Sequence, residues 1–387
     1  MRRPQTQTDL PDVASDDLCV VFAGGGSGGH IFPGLGVAEQ IVERSPQTRV
    51  RFLHSRRPLD SVIMQQNGQV GEVIPAEPFG TRPLVLWRFL THWGRAVREA
   101  RRVLRECKRE AERVIVVTVG GFVAAPVAQA ARAERVSVVL INLDAVPGKA
   151  NRMIARRALR SWTTSDYKCP PSWERVRPLV RATAVSNLPR SACRAEFGLD
   201  METPTLFVTG ASQGARSINQ FMRAFVAEHP DVLRGWQVLH QSGAYASEGV
   251  EASYRDAGIV ARVVDFVDNM ASAWRASDLV LCRAGANTVA EAWANRVPAV
   301  FLPYPYHRDE HQRHNAQPLV DAGAAIVCRD QVDSQANLRE AGERLRELLG
   351  DAGRRDRMRG ALEGLGPADG ASTIAEAILS LTREGVG

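Results

Sequence analysis

The sequence predicts an α/β protein built from two doubly wound parallel-sheet domains that face each other across a cleft. Three observations carry this. Short, near-continuous apolar runs alternate with helix-length segments along the whole chain. The pattern restarts near Thr203. Each half opens on the same order of strand, glycine-rich turn and helix. Apolar runs without alternation suit parallel strands covered on both faces, and their alternation with helices reads as βαβ units. Two such units put two ligand crevices at the carboxyl ends of two sheets.

The strands are expected at 18–23, 50–54, 114–119, 136–141 and 161–164 in the first half. In the second half they are expected at 205–209, 237–240, 261–264, 279–282, 299–302 and 325–328. A length of 387 residues fits two domains, given roughly 100–200 residues per domain. Apolar residues at 44% and charged residues at 24% are ordinary for a globular chain. No apolar run approaches the ~20 residues needed to span a bilayer. The polar start, with Pro4, Pro11, Asp16 and Asp17, lacks the apolar stretch of a secretory signal. It reads as a disordered lead-in to a cytoplasmic protein. The composition of Ser186-Asn187-Leu188-Pro189-Arg190 fits a linker. The expected division is therefore a lead-in at 1–17, domains at 18–187 and 188–364, and a final segment at 365–387. Six scattered cysteines form no C-x-x-C pair and no zinc spacing. Cys19, Cys282 and Cys328 are expected as reduced core residues.

Net charge is +6 and unevenly placed: between Arg82 and Arg113, ten Lys/Arg stand against four Glu. That stretch is either a solvated helix face or a surface for an anionic partner. No recognisable nucleic-acid module accompanies it.

Four motifs carry chemistry. Gly24-Gly25-Gly26-Ser27-Gly28-Gly29-His30 follows the first strand and precedes a helical pattern at 35–42. Glycines let the backbone approach a ligand, and a helix start favours an anion. No Gly-Lys-Ser/Thr closes the turn, so it is not a P-loop. A neutral His30 there would take a proton from a substrate hydroxyl, the helix end helping to keep it neutral. Val119-Gly120-Gly121-Phe122 places a second close-approach turn in the same half. Gly210-Ala211-Ser212-Gln213-Gly214 repeats the arrangement in the second half, with Ser212 expected to cap a helix and meet a phosphate. The fourth stretch, Asp278 to Asn315, holds Arg283-Ala284-Gly285-Ala286-Asn287-Thr288 and then Glu291 on a helix. Glu291 suits the two hydroxyls of a ribose. The loop from Pro303 to His311-Gln312 suits sugar hydroxyls. No Asp-x-Asp occurs, so no metal is expected to hold a diphosphate. Helix ends and an arginine must neutralise it.

The motifs "GGGSGGHIFPGLGVAEQI" from Gly24, "GASQGARSINQ" from Gly210 and "DFVDNMASAWRASDLVLCRAGANTVAEAWANRVPAVFLPYPY" from Asp265 resemble the MurG family, which adds GlcNAc to lipid-linked muramyl-pentapeptide. "HNAQPLVDAGAAIV" from His314 continues the likeness, which runs in order through most of 18–330. The resemblance implies a GT-B fold of two Rossmann-like domains, an inverting transfer without metal or cofactor, and UDP-GlcNAc as substrate. It implies His30 as general base and Ser27, Gly28, Gly29, Gly120 and Gly121 beside the lipid-diphosphate acceptor. It assigns the UDP-sugar donor to Arg190, Ser212, Gln213, Gly214, Val267, Ala286, Thr288, Glu291, His311 and Gln312. Where the family carries two sugar-binding glutamines, this chain has His311-Gln312. An amide near the reacting sugar has become Asp144, which introduces a second candidate base or assistant. The basic stretch then reads as a docking surface for the anionic inner face of the cell membrane. Leu84, Leu86, Trp87, Phe89, Leu90 and Trp93 would be its apolar part. The last segment is expected to form a helix crossing back to the first domain. Two rivals stay open: a transferase of this fold acting on diacylglycerol or another acceptor, and a non-catalytic UDP-sugar-binding protein at the membrane.

Overall fold

The computed structural model describes residues 17–210, 214–243 and 247–381. A seven-stranded sheet contains β1 (Leu18–Ala23), β2 (Arg49–His54), β3 (Gly71–Val73), β4 (Arg113–Thr118), β5 (Ser137–Asn142), β6 (Arg160–Thr163) and β7 (Glu174–Arg175). A six-stranded sheet contains β8 (Thr205–Thr209), β9 (Gln237–Gln241), β10 (Val260–Val264), β11 (Leu279–Cys282), β12 (Ala299–Phe301) and β13 (Ala325–Val327). Their orders are β3-β2-β1-β4-β5-β6-β7 and β10-β9-β8-β11-β12-β13. The ladders are parallel. All six β1 residues and all five β8 residues are buried, which is why the central strands read as unbroken apolar runs.

Each sheet changes direction at its middle, between β1 and β4 and between β8 and β11. Loops after these strands part to opposite faces and leave a crevice. The registers Ala23↔Thr118 and Thr209↔Cys282 bring the paired strands to the same level there. Both glycine turns, Gly24–His30 and Val119–Gly121, therefore spring from one crevice. Gly210, at the end of β8, and Arg283–Gly285 spring from the other.

The carboxyl ends of the two sheets face one cleft. Leu143, Thr164, Ala286, Asn287 and Asn315 line a common pocket there, drawn from the loops after β5 and β6 and the helices after β11 and β12. Asn315 crosses the cleft with both ends of its amide. Its Oδ1 accepts from Ala145 N at 2.8 Å, and its Nδ2 donates to Asp144 Oδ1 at 3.2 Å. The Tyr167 and His314 rings stack across it at 3.7 Å. The helix Gly370–Leu381 returns to the first domain, where Ile374, Ala375 and Ile378 join one core with Leu35, Ile41 and Val176. Burying each isoleucine contributes about 1.5–3 kcal/mol.

Two short edge strands, β3 and β7, have no counterpart in the sequence expectation. With three and two residues they show no periodicity. The second-domain helix expected from Ser212 begins at Arg216, with Ala215 as its N-cap. Ser212 and Gln213 lie outside the described residues.

Candidate active site

On the first domain, His30 ends a 3₁₀ turn, Gly28–His30, that leads into the helix Phe32–Arg44. Its Nδ1 lies 3.0 Å from Ser27 Oγ. With Nδ1–H donating to that hydroxyl, Nε2 is left as the acceptor. A Cβ added to Gly120 would meet the imidazole edge, so Gly120 is the wall His30 leans on. Gly121, at φ +77, has no room for a side chain because a Cβ would overlap Gly25 O. The two turns of this half are thereby packed backbone to backbone. Burial holds the His30 pKa below its usual value, opposed by the negative charges of Asp144 and Asp60. The lowering has the direction expected for a histidine kept neutral, with desolvation as its cause.

Asp144 is half-buried on the loop after β5. Asn142 shapes that loop, donating to Asp144 O at 2.8 Å and accepting from Asn151 Nδ2 at 2.9 Å. Asp144 faces both His30 and His307 electrostatically. Its charge favours the protonated form of both, and Asn315 Nδ2 bonds its Oδ1.

On the second domain, Gly214 has φ +71, and a Cβ there would crowd Ser242 O and Gly243. The turn Ser242-Gly243 is fixed from within the core. Tyr254 OH and His240 Nδ1 lie 2.9 Å apart, His240 Nε2 and Asn219 Oδ1 3.0 Å, and Asn219 Nδ2 donates to Ser242 O at 2.8 Å. Burial drives the His240 pKa down to about 3, so it is neutral.

The helix Ala286–Ala294 follows β11, with Gly285 as its N-cap. Ala286 and Thr288 lie in its first turn, and Glu291 is one turn further on. Trp274 Nε1 donates to Glu291 Oε2 at 2.9 Å, leaving Oε1 for a ligand. Burial pushes the Glu291 carboxyl up to about 7, although the Trp274 bond works the other way. Val267 is buried next to exposed Phe266. Gln312 accepts from Tyr304 N at 2.8 Å and keeps its NH₂ group. His311 Nδ1 bonds Asp309 Oδ1 at 2.8 Å, and its ring lies 4.3 Å from that of His307. Arg283, 7% exposed, ties three loops of this rim together. It reaches Leu302 O at 2.7 Å, Asp330 Oδ2 at 2.7 Å and Ser217 Oγ at 2.8 Å.

Arg190 does not join these groups. It pairs with Asp278 Oδ1 at 2.5 Å, while Arg194 takes Asp278 Oδ2 at 2.6 Å. Asp278 precedes β11 and receives Thr205 N at the start of β8. That is the amino edge of the sheet, opposite the crevice, so the expected contact between Arg190 and the donor phosphates is withdrawn. Two of the expected membrane residues are only partly exposed. Phe89 packs on Phe79 and Trp93, and Trp93 Nε1 donates to Gln129. Leu84, Trp87 and Leu90 stay more than 60% exposed on the helix Pro83–Glu110, as does Phe79, which the sequence reading omitted.

Sequence reasoning also missed Asp60, Asn315 and the Tyr254–His240–Asn219 chain. Asp60 had one signal, an acidic residue in the first turn of a helix opened by Pro58. The chain had none, because its members lie 14 and 21 residues apart.

Two parallel sheets whose crevices meet, with a half-buried histidine on one side and helix starts on the other, have the architecture of GT-B glycosyltransferases. The glycosyltransferase family 28 N-terminal domain matches residues 20–163, and the glycosyltransferase family 28 C-terminal domain matches 205–357. The chain belongs to that family and, within it, to the MurG family. A relative from Nocardioides sp. is 35% identical, covering 94% of this chain and 98% of its own; one from Geobacter metallireducens is 32% identical, covering 94% and 99%. Both are named UDP-N-acetylglucosamine–N-acetylmuramyl-(pentapeptide) pyrophosphoryl-undecaprenol N-acetylglucosamine transferase. The crystal structure of Acinetobacter baumannii MurG is similar, with TM-score 0.68 and 25% identity over 94% of this chain and 99% of that one. A putative UDP-N-acetylglucosamine 2-epimerase from Listeria monocytogenes shares the fold, at TM-score 0.63 and 13% identity over 96% and 97%.

Proposed function

We propose that this chain moves GlcNAc from UDP-GlcNAc to the muramyl sugar of a lipid-linked pentapeptide precursor, inverting the anomeric centre. The observation that carries this is His30, hydrogen-bonded through Nδ1 to Ser27 Oγ at 3.0 Å and set with its Nε2 edge against Gly120 in the first-domain crevice. The full-length likeness to relatives named for that reaction supports it.

In this reading the acceptor lies on the first domain, its diphosphate against Ser27, Gly28, Gly29, Gly120 and Gly121. The donor lies on the second, with Glu291 Oε1 on the ribose, backbone at Val267 on the uracil, and Ala286 and Thr288 beside the phosphates. Gln312 NH₂ and His311 reach the sugar hydroxyls. The acceptor oxygen attacks the anomeric carbon as its proton passes to His30 Nε2. The bond from that carbon to the diphosphate oxygen breaks, and UDP leaves with the electron pair. Asp144 stabilises the imidazolium that forms. With Arg190 at the wrong edge, the leaving diphosphate is met by the helix starts at Arg216 and Ala286.

A lipid-linked acceptor requires the enzyme at a surface. Among the described residues no helix is long and apolar enough to cross a membrane. The exposed patch of Phe79, Leu84, Leu86, Trp87 and Leu90 is fringed by Arg82, Arg88, Arg95 and Arg98. It suits peripheral docking on an anionic, inner-leaflet surface.

The test is UDP release by the purified protein, with and without lipid-linked muramyl-pentapeptide and with EDTA present. Acceptor-dependent release from UDP-GlcNAc that survives EDTA is expected. Release only from UDP-glucose or UDP-galactose would transfer the reading to another sugar, at the positions of Asp144 and His311. UDP binding without turnover on any donor would leave a binding protein.

A further inference from the structure

Asp60 sits in the first turn of the helix Pro58–Gln66, and its side chain is fully buried. One carboxylate oxygen does all the bonding. Oδ2 accepts from Gly26 N at 2.7 Å, Ser55 Oγ at 2.6 Å and Ser55 N at 3.2 Å. Oδ1 is buried with no hydrogen-bond partner. The carbonyl of Gly26 is held as well, by the guanidinium of Arg57, which lies over the Phe122 ring at 5.3 Å. Both backbone polar groups of one glycine residue, four residues before His30, are therefore gripped by charged side chains following β2.

A carboxylate kept in the core with one oxygen unpaired is costly. Three donors converge on Oδ2, two backbone N–H groups and one hydroxyl, and it is an ionised oxygen that accepts them most strongly. The retained charge has a use nearby. Two carboxylates act on His30 through their charge: Asp144 from the loop after β5, and Asp60 from the helix after β2, tied by Gly26 to the turn that ends in His30. Its remaining contacts are neutral, namely Ser27 Oγ on Nδ1 and the Gly120 backbone beside the ring.

We infer that Asp60 is a positioning residue for the transfer, clamping the glycine turn through Gly26 and fixing a negative charge behind His30 that favours the imidazolium formed as the acceptor's proton arrives. The inference rests on the reading of His30 as base. It adds that the base works between two carboxylates, one at the cleft and one in the core.

The experiment measures kcat, the KM of each substrate and the pH profile of kcat/KM for Asp60→Asn, Asp60→Glu and Arg57→Met in the full chain. Asp60→Asn is expected to lower kcat at least about tenfold and raise the acceptor KM several-fold. It should leave the UDP-GlcNAc KM within about twofold, because the donor crevice belongs to the other domain. Its acidic limb should move to lower pH, because a neighbour that favoured protonation is gone. Asp60→Glu keeps the charge and should hold the limb near the wild-type position. Arg57→Met releases the other half of the clamp without touching the charge, so it should raise the acceptor KM and leave the limb in place.

An unmoved limb in Asp60→Asn, with rates falling only as melting temperature falls, would make Asp60 a fold residue and overturn the inference. If Asp60→Asn does not fold, an unchanged acceptor KM in Arg57→Met or a shifted limb in Asp60→Glu overturns it equally. Failure of the base itself is distinguishable: His30→Ala would then turn over normally, whereas the acceptor KM effect of Arg57→Met would persist.

Discussion

The two domains solve the same problem, holding a glycine turn at the switch point of a parallel sheet, with opposite chemistry. In the first domain the turn is gripped by charges: Asp60 on Gly26 N, Arg57 on Gly26 O, with Asp144 across from His30. In the second it is held by a neutral chain, Tyr254–His240–Asn219, ending on Ser242 O against Gly214. The difference follows from what each side is proposed to receive. A proton arriving at His30 is favoured by nearby carboxylates. A diphosphate arriving at Gly214 would be repelled by an unpaired carboxylate; the carboxylate nearby, Asp330 on Ser217 Oγ, is paired with Arg283.

The neutral side gives the largest expected effect of pH. His240 has a folded pKa near 3, against an ordinary value of 6.5. Below about 6.5 the unfolded chain takes up a proton that the folded chain refuses, so stability falls as pH drops from there toward 3. The loss should reach on the order of 3–5 kcal/mol. Urea unfolding of wild type and His240→Gln across this range checks it. The variant should be less stable at pH 7 and should lose most of the acid sensitivity; equal acid slopes would remove His240 as the cause.

Glu291 comes next. Its carboxyl titrates near 7 when the crevice is empty, and the ionised form is the one that accepts ribose hydroxyls. UDP affinity should therefore rise with pH through about 7 and level off above 8, and Glu291→Gln should flatten that rise and weaken binding about tenfold. Calorimetry at pH 6, 7 and 8 decides. An unchanged affinity in the variant would sink the ribose assignment.

Arg190 should give the smallest effect. Because it is spent on Asp278 at the far edge of the sheet, Arg190→Ala should change the UDP-GlcNAc KM by less than about threefold. A tenfold rise would show that this arginine does reach the donor.

The contrast between the domains also marks how far the sequence could be read. β1 and β8 were legible because they are buried on both faces, and the glycine turns because tight backbone approach leaves few residue types. The near side of His30 was legible through its position in such a turn. Asp60 was not, because nothing in a Pro-led helix start says that its carboxylate turns inward. Arg190 was misplaced because a linker motif does not say at which end of a sheet the next helix docks. That is decided by packing of the helix Arg190–Glu196 against the helix Met270–Ala276. His240 reads as one apolar-strand residue until Tyr254 and Asn219 close around it. Phe89 and Trp93 share the apolar stripe of Leu84 and Trp87 in sequence, and only contact with Phe79 and Gln129 separates the partly covered from the exposed.

The central claim is that one histidine between the two crevices takes the acceptor's proton. The most direct measurement is transfer from UDP-GlcNAc to lipid-linked muramyl-pentapeptide by wild type and His30→Ala at saturating substrate. The account predicts a fall in kcat of about 10²–10⁴-fold with the UDP-GlcNAc KM within about twofold. Undiminished turnover in His30→Ala would contradict it and pass the role of base to Asp144.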